Sequence, residues 1–385
     1  MNQVWDLTSE QLAKNAEKTV IVGMSGGVDS SVSALILKKQ GYKVIGLFMK
    51  NWEEEDENGV CQASKEYADV VKVCEKIDIP YYSVEFVKEY RDNVFLHFLK
   101  EYEQGHTPNP DILCNREIKF KVFYDKAREL GADFLATGHY CQTDGQGNLI
   151  KGADQGKDQT YFLYAVKKAV LKNVLFPIGN LQKSDVRAIA VEFGLATATK
   201  KDSTGICFIG ERNFKNFLSQ YLPAMSGNFE LLNGEVVGKH DGCAFYTPGQ
   251  RKGLGLGGQG EPWFVVAKDV ERNAVIVERG ERHPAMYCDD LTATDIDWID
   301  PEFKVVGELK LKAKVRYRQA DQDCIVTQLE DGRLFVRFEI PQRAVTQRQS
   351  VVFYKDDQCL GGAMIEAAGT NYYERKEELP AIVGN

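Results

Sequence analysis

Residues Thr19–Phe48 read TVIVGMSGGVDSSVSALILKKQGYKVIGLF, and their order decides the fold. Thr19–Met24 reads as a buried strand, Ser31–Gln40 as a helix stopped by Gly41, and Lys43–Phe48 as a second strand, which together make a βαβ unit. Between the first strand and the helix lies Gly23-Met24-Ser25-Gly26-Gly27-Val28-Asp29-Ser30-Ser31. Two adjacent glycines let the backbone approach an anion. Free amides at the helix start and the hydroxyls of Ser25, Ser30 and Ser31 then point donors into one concavity. The segment reads as a phosphate cradle, because a plain strand-to-helix turn needs neither three hydroxyls nor an acid. It lacks the lysine of a Walker loop.

Farther out, Tyr67, Val70, Val71 and Cys74 fall at i, i+3, i+4 and i+7, as do Phe95, Phe98, Leu99 and Tyr102, so two further helices pack on a sheet. Tyr81–Phe86 and Asp133–Thr137 add strands. The fold class is α/β, a doubly wound, mostly parallel sheet with ligands outside the carboxyl ends of its strands. Ser184 opens a helix with Val186, Ile189, Ala190 and Phe193 on one face, and Phe214, Phe217, Leu218 and Tyr221 repeat the pattern. From about Asn228 short β runs alternate with turn pairs such as Asn233-Gly234, Asp241-Gly242 and Asp331-Gly332, enough for two small barrels. The acidic stretch near Cys288–Pro301 reads as the boundary between them.

Composition sets limits on function. The 385 residues carry 48 Lys plus Arg against 56 Asp plus Glu, a net charge of −8, so any polyanion must be met by localised cations. No run approaches the ~18 apolar residues of a membrane span, and Met1–Lys18 lacks the apolar middle of a signal peptide. These features predict a soluble, cytoplasmic protein with no membrane partner. The nine cysteines include no Cys-x-x-Cys, which argues against a zinc knuckle, a thioredoxin-like motif, an iron-sulfur cluster or any other cysteine-held metal.

Two clusters hold thiols. In Thr107-Pro108-Asn109-Pro110-Asp111-Ile112-Leu113-Cys114-Asn115 the prolines forbid helix through Asn109 and hold Asp111 and Cys114 at or near the next helix start. Amide partial charges there favour a thiolate at Cys114, while a buried helix-start cysteine and an Asp111 cap remain open readings. In Lys201-Asp202-Ser203-Thr204-Gly205-Ile206-Cys207-Phe208-Ile209-Gly210, Cys207 sits in a glycine-flanked loop that suits a sulfur carrier, though such a thiol alone could be inert core. The other seven cysteines read as structural. Lys310, Lys312, Lys314, Arg316 and Arg318 alternate with apolar residues, which predicts five cations on one strand face, ~6.6 Å apart and matched to backbone phosphates. A solvated protective edge is the alternative.

The glycine loop resembles the pyrophosphate loop of ATP-pyrophosphatases. With the two thiol clusters, and with Gly46–Trp52, Ala136–Tyr140, Asp158–Leu163 and Thr247–Gly253, the chain from Thr19 to about Tyr354 closely resembles the tRNA-specific 2-thiouridylases. The resemblance implies a catalytic domain over residues 1–227 with an unassigned extension at Met1–Lys18, a small central β domain over 228–290, and a tRNA-contacting C-terminal β-barrel over 291–385. It implies that Gly23, Met24, Ser25, Gly26, Gly27, Val28, Asp29, Ser30, Met49 and Gly138 bind ATP. Asn109, Pro110 and Asp111 would lie at the target base, with Cys114 as nucleophile, Cys207 as persulfide carrier and Asp111 as a general acid or base. His139, Lys157, Asp158, Gln159, Arg316, Tyr317 and Gln349 match positions that touch tRNA. The family usually has Thr-Pro-Gly-Gln-Ser where this chain has Thr346-Gln347-Arg348-Gln349-Ser350.

The implied reaction is adenylation of the carbon-2 oxygen of the wobble uridine, followed by sulfur transfer to give 2-thiouridine, AMP and pyrophosphate, and a Cys114–Cys207 disulfide. Implied partners are tRNAs for Lys, Glu and Gln and a sulfur donor, either a cysteine desulfurase or a sulfur-relay protein. Mg²⁺ is expected to neutralise the departing pyrophosphate, with Asp29 as a ligand candidate. Three other classes compete. An amide-forming ATP-pyrophosphatase needs an ammonia source and no thiol relay, and an iron-sulfur thiolase needs clustered cysteines. A non-catalytic RNA-binding protein would have no use for Ser25–Ser31, Cys114 and Cys207.

Overall fold

The computed structural model describes residues 4–53, 62–202, 217–222 and 225–384. The unassigned extension contains a helix, α1 (Ser9–Ala16), capped by Thr8 and Gln11 in a reciprocal box. Trp5 before it packs edge-on to Phe193 at 5.6 Å, and Gln40 Nε2 donates to Val4 O, so the extension is laid against the first domain.

Strands β1 (Thr19–Met24), β2 (Lys43–Lys50), β3 (Tyr81–Glu85) and β4 (Phe134–Ala136) are followed by a hairpin of β5 (Cys141–Thr143) and β6 (Leu149–Lys151), then by β7 (Val174–Leu175). Five of them form a parallel sheet in the order β3-β2-β1-β4-β7. The sequence missed β7, whose two residues are too short to show a period. Alternation along β1 feeds two cores. Val20, Val22 and Met24 pack with α2 (Val28–Lys39), α3 (Gln62–Ile77) and the helix Lys183–Glu192, whereas Ile21 faces Phe95, Phe98, Ile118 and Phe123 on the other side. The doubly wound expectation is thus met. On α3 the buried stripe is Val70, Val73, Cys74 and Ile77, which keeps Val70 and Cys74 of the expected one and replaces Tyr67 and Val71. The later helix begins at Lys183 rather than Ser184, with the Asp185 carboxylate accepting the Gln182 N–H.

Strands β8 (Gly227–Glu230), β9 (Val236–His240), β10 (Trp263–Asp269) and β11 (Ala274–Arg279) make a small sheet, order β10-β11-β8-β9, over Phe229, Val265, Val275 and Val277. A barrel follows, built from β12 (Tyr287–Trp298), β13 (Glu308–Lys314), β14 (Gln322–Gln328), β15 (Leu334–Arg343), β16 (Ser350–Lys355) and β17 (Gln358–Ala368). Its order β12-β15-β14-β13-β16-β17 closes because β17 also pairs with β12. The acidic stretch near Cys288–Pro301 is therefore mostly strand β12, not a connector. β17 pairs in addition with β6, placing Cys359 opposite Leu149, so a hairpin of the first domain extends the barrel sheet.

Candidate functional site

The strand order reverses about β1, with β2 on one side and β4 on the other, and the loops after β1 and β4 meet at this switch point. A cavity of about 600 Å³ opens there. Gly23, Met24, Ser25, Gly27, Val28, Asp29, Ser30, Met49 and Gly138, positions that the resemblance assigns to ATP, line it, and Gly26 is not among the lining residues. Gly26 has φ +69, and a Cβ there would sit 2.6 Å from Glu66 O, so glycine is required by both backbone and space. Gly27 caps α2 with no side-chain hydrogen bond, which leaves the first-turn amides available to an anion. Ser25 and Ser30 share a hydroxyl contact of 3.1 Å at the cavity wall. Ser31 is a correction: it is fully buried, donates to Gly27 O at 2.7 Å and accepts from Thr197, so its hydroxyl is structural.

Two lysines from elsewhere in the chain stand at the loop. Lys183 Nζ lies 2.7 and 2.8 Å from the two Asp29 oxygens and 2.9 Å from Asp202 Oδ1, and Lys200 Nζ donates to Gly26 O at 2.9 Å. Tyr140 donates its hydroxyl to Asp29 at 2.8 Å, and burial together with that carboxylate raises the phenol pKa. Asp202 is held by Lys157, Lys183 and Arg187. Burial alone would raise its carboxyl, but the lysine hydrogen bonds prevail and hold it at about 2. None of these pairings could be read from sequence, since Lys183 stands far along the chain from Asp29.

The proline-bounded segment behaves as expected at its start. Asn109, not Asp111, is the cap: its Oδ1 accepts the Asp111 N–H at 3.1 Å, with Pro110 at the first helical position. Asp111 lines the cavity. Cys114 lies one turn inside, fully buried in the core, where Pro110–Leu113 passes directly into a π-helical stretch, Cys114–Val122. That stretch departs from helical angles at Phe120 (φ −104, ψ 17), a local irregularity common near functional sites. Cys207 and the rest of residues 203–216 lie outside the described residues, as does Cys61. The other six cysteines are buried, and burial pushes Cys74, Cys288 and Cys324 up to about 12, which keeps them protonated.

Among the positions matched to tRNA contacts, His139, Lys157, Gln159 and Tyr317 line the cavity. His139 is enclosed by Phe120 and Phe176, its Nδ1 is 2.8 Å from Thr137 Oγ1, and burial lowers its pKa well below 6.5, so it is neutral at pH 7. Gln159 clamps Tyr140 through both its side-chain oxygen and its backbone N–H. Asp158 is instead interior, accepting from Gly152 N, Thr160 N and Thr160 Oγ1, with Lys314 Nζ at 3.8 Å. Gln349 Nε2 donates to Thr107 O at 2.6 Å.

The five-cation face is not formed. β13 ends at Lys314, and its two neighbours β14 and β16 make it neither an edge nor a free ribbon. Lys314 is buried beside Asp158 and Asp321, Lys312 faces Asp323 at 3.4 Å, and Arg316 is turned inward onto Pro248 O, Ala344 O and Thr346 Oγ1. Only Lys310 and Arg318 are exposed.

No group of three or more His, Cys, Asp or Glu side chains among the described residues could hold a metal unaided. Asp29, Glu66, Asp111 and Asp202 are the carboxylates on the cavity wall. That set fits a cation carried in on phosphates better than a dedicated protein cage.

Comparison with known proteins agrees with this architecture. A family model described as the tRNA methyl transferase HUP domain matches residues 18–211, its PRC-barrel domain matches 215–279, and an aminomethyltransferase beta-barrel domain matches 288–365. The tRNA-specific 2-thiouridylase MnmA of Protochlamydia amoebophila is 60% identical over 373 residues, 94% of this chain and 97% of that protein. The protein of the same name from Bacillus subtilis is 56% identical over 359 residues, 92% of this chain and 97% of that one. Among solved structures, the U34-tRNA thiolase NcsA from Methanococcus maripaludis covers 55% of this chain and 68% of its own at 19% identity and a TM-score of 0.35, too distant to carry an argument. Identity of this extent, spanning a nucleotide cradle, a small β domain and a closed barrel, shows that the chain belongs to the tRNA-specific 2-thiouridylase family.

Proposed function

We propose that the cavity at the carboxyl end of β1 is where this chain carries out the activity of its family, tRNA 2-thiolation driven by ATP. The observation that carries the reading is the meeting, in one cavity, of an amide-rich phosphate cradle and Asp111 from the proline-bounded segment. ATP phosphates lie against the first-turn amides of α2, with Lys183 and Lys200 close enough to take up charge on the departing pyrophosphate. Mg²⁺, when bound, neutralises phosphate charge, and Asp29 or Asp202 would hold it.

The carbon-2 oxygen of the wobble uridine attacks the α-phosphate, pyrophosphate leaves, and the oxygen becomes part of an AMP leaving group. A persulfide on Cys207 supplies the sulfur. Either Cys114 attacks the Cys207 sulfur of the persulfide and releases hydrosulfide, which attacks carbon 2, or the terminal sulfur attacks carbon 2 directly and Cys114 then attacks the Cys207 sulfur, breaking the sulfur–sulfur bond. In both routes AMP departs and Cys114 and Cys207 end as a disulfide, whose reduction suits the cytoplasm. The sulfur comes from a cysteine desulfurase or a relay protein, and the substrates are tRNAs for Lys, Glu and Gln.

The test is mass spectrometry of tRNA nucleosides after incubation with the protein, ATP and a persulfide donor. Wild type yields 2-thiouridine, and Cys114→Ser and Cys207→Ser each reduce it to background. Full activity in either variant removes the role given to that residue.

A further inference from the structure

The loop ahead of Cys114 is gripped from outside its own domain. Gln349 of the barrel donates Nε2 to Thr107 O at 2.6 Å. From the central domain, Thr247 Oγ1 and Lys268 Nζ each donate to Thr107 Oγ1 at 3.4 Å. Among the described residues no carboxylate lies within 4 Å of Lys268, which leaves the Thr107 hydroxyl as its acceptor. Burial also lowers the Lys268 pKa to about 8, against a smaller opposing influence from Cys243.

The two β domains are joined at the same place. Arg316 Nη2 donates to Pro248 O at 3.2 Å, Ala344 O at 3.0 Å and Thr346 Oγ1 at 2.6 Å, so one barrel guanidinium holds the loops that carry Thr247 and Gln349. Gly105, two residues before Thr107, has φ +75 and lies so close to β10 and its turn that a Cβ would fall 2.3 Å from Val270 Cγ2. A cavity of about 360 Å³ at this junction has walls from all three domains.

Downstream of Thr107 the chain has little freedom to absorb a shift. Pro108 and Pro110 have fixed φ and no N–H, and the Asp111 N–H is taken by Asn109. A displacement at Thr107 therefore passes to Asn109, Asp111 and the helix bearing Cys114. We propose that Thr107 is a positioning residue for thiolation, through whose hydroxyl and carbonyl the central domain and the barrel set the Asn109–Cys114 segment against the nucleotide cavity. This inference rests on the reading of that segment as the place of target base and nucleophile. It also makes Gln349 a domain tie rather than an RNA contact.

The two readings of these residues separate kinetically. In the full chain with saturating ATP, persulfide donor and tRNA, Thr107→Val should slow single-turnover thiolation about tenfold to a hundredfold, the range a small misplacement produces. Its melting temperature should fall by a few degrees, because the buried Lys268 loses its acceptor, while its tRNA Kd stays within about twofold of wild type. Thr107→Ser, which keeps the hydroxyl, should recover most of the rate, and Gln349→Ala should lose rate with little loss of affinity. Should Thr107→Val fail to fold, Thr247→Val and Lys268→Met each remove one donor from outside the loop and should each slow the same step. A wild-type rate in Thr107→Val, or in both substitute variants, overturns the proposal, as does a Thr107→Ser no faster than Thr107→Val. A Gln349→Ala that loses affinity at full rate returns that residue to RNA contact and overturns its part. Activity in Cys114→Ser would sink the reading of the segment instead, a result these variants do not mimic.

Discussion

Arg348 has φ +67, a left-handed conformation that costs a side chain ~1–2 kcal/mol relative to glycine. It stands at the position that the family resemblance gives to the glycine of Thr-Pro-Gly-Gln-Ser, so a side chain here bears a backbone conformation that glycine adopts freely. Its guanidinium offsets the cost by reaching Glu101 at 3.1 Å and Asp295 at 3.9 Å. Arg348→Ala keeps the strain and loses the ion pairs, whereas Arg348→Gly loses both. Denaturant unfolding should therefore find the glycine variant about 1 kcal/mol more stable than the alanine variant, and equal stabilities would contradict this account. At this scale the sequence was a partial guide. It marked Asp111, His139 and Gln349 as worth watching, but a residue name does not say which way a side chain turns. Arg316 turns inward to Pro248 and Thr346, far along the chain, and Asp158 to Gly152 and Thr160 close by, with the distant Lys314 at 3.8 Å.

The glycine loop was legible because its physics is local: strand, two glycines and helix follow one another within a dozen residues, and each step has its own signal. Its packing was not. Gly138, in the loop after β4, presses on the start of α2 so closely that a Cβ would lie 2.7 Å from Ser30 N and 2.8 Å from Asp29 C. Gly138→Ala must push that helix start away, and isothermal titration should show ATP binding weakened by at least about tenfold, the effect of misplacing several anion-binding amides together. Unchanged affinity would show that the first turn of α2 is not where the phosphates lie. The cationic strand was misread for a related reason. An alternation of period two holds only while the chain stays extended, and after Lys314 it does not, so Arg316 and Arg318 leave the face of Lys310.

Over the whole molecule, the catalytic domain and the barrel meet through buried charge. Lys151 pairs with Asp321, Lys314 lies 3.6 Å from Asp321 and 3.8 Å from Asp158, and both ammonium groups sit over the Tyr354 ring at 4.7 and 5.3 Å. Removing one partner leaves the rest uncompensated, so Asp321→Asn should destabilise the protein by about 3–5 kcal/mol. Calorimetry should then resolve separate melting of the two domains, and a single unshifted transition would refute that role for the cluster. Three-part organisation was readable from where helices give way to turn-rich β runs. The joints were not, because Lys151 and Asp321 are brought together only by the strand order β14-β13-β16-β17-β6.

The pairing of β6 with β17 has a consequence for how the protein is made. The short hairpin β5–β6 finds its outer hydrogen-bonding neighbour in β17, at Gln358 and Cys359. A ribosome emits those residues some two hundred positions after Leu149, so the earlier half must wait with one flank unzipped until the final strands emerge. Shortening the chain from its far end would thus injure the nucleotide-binding half as well as the barrel.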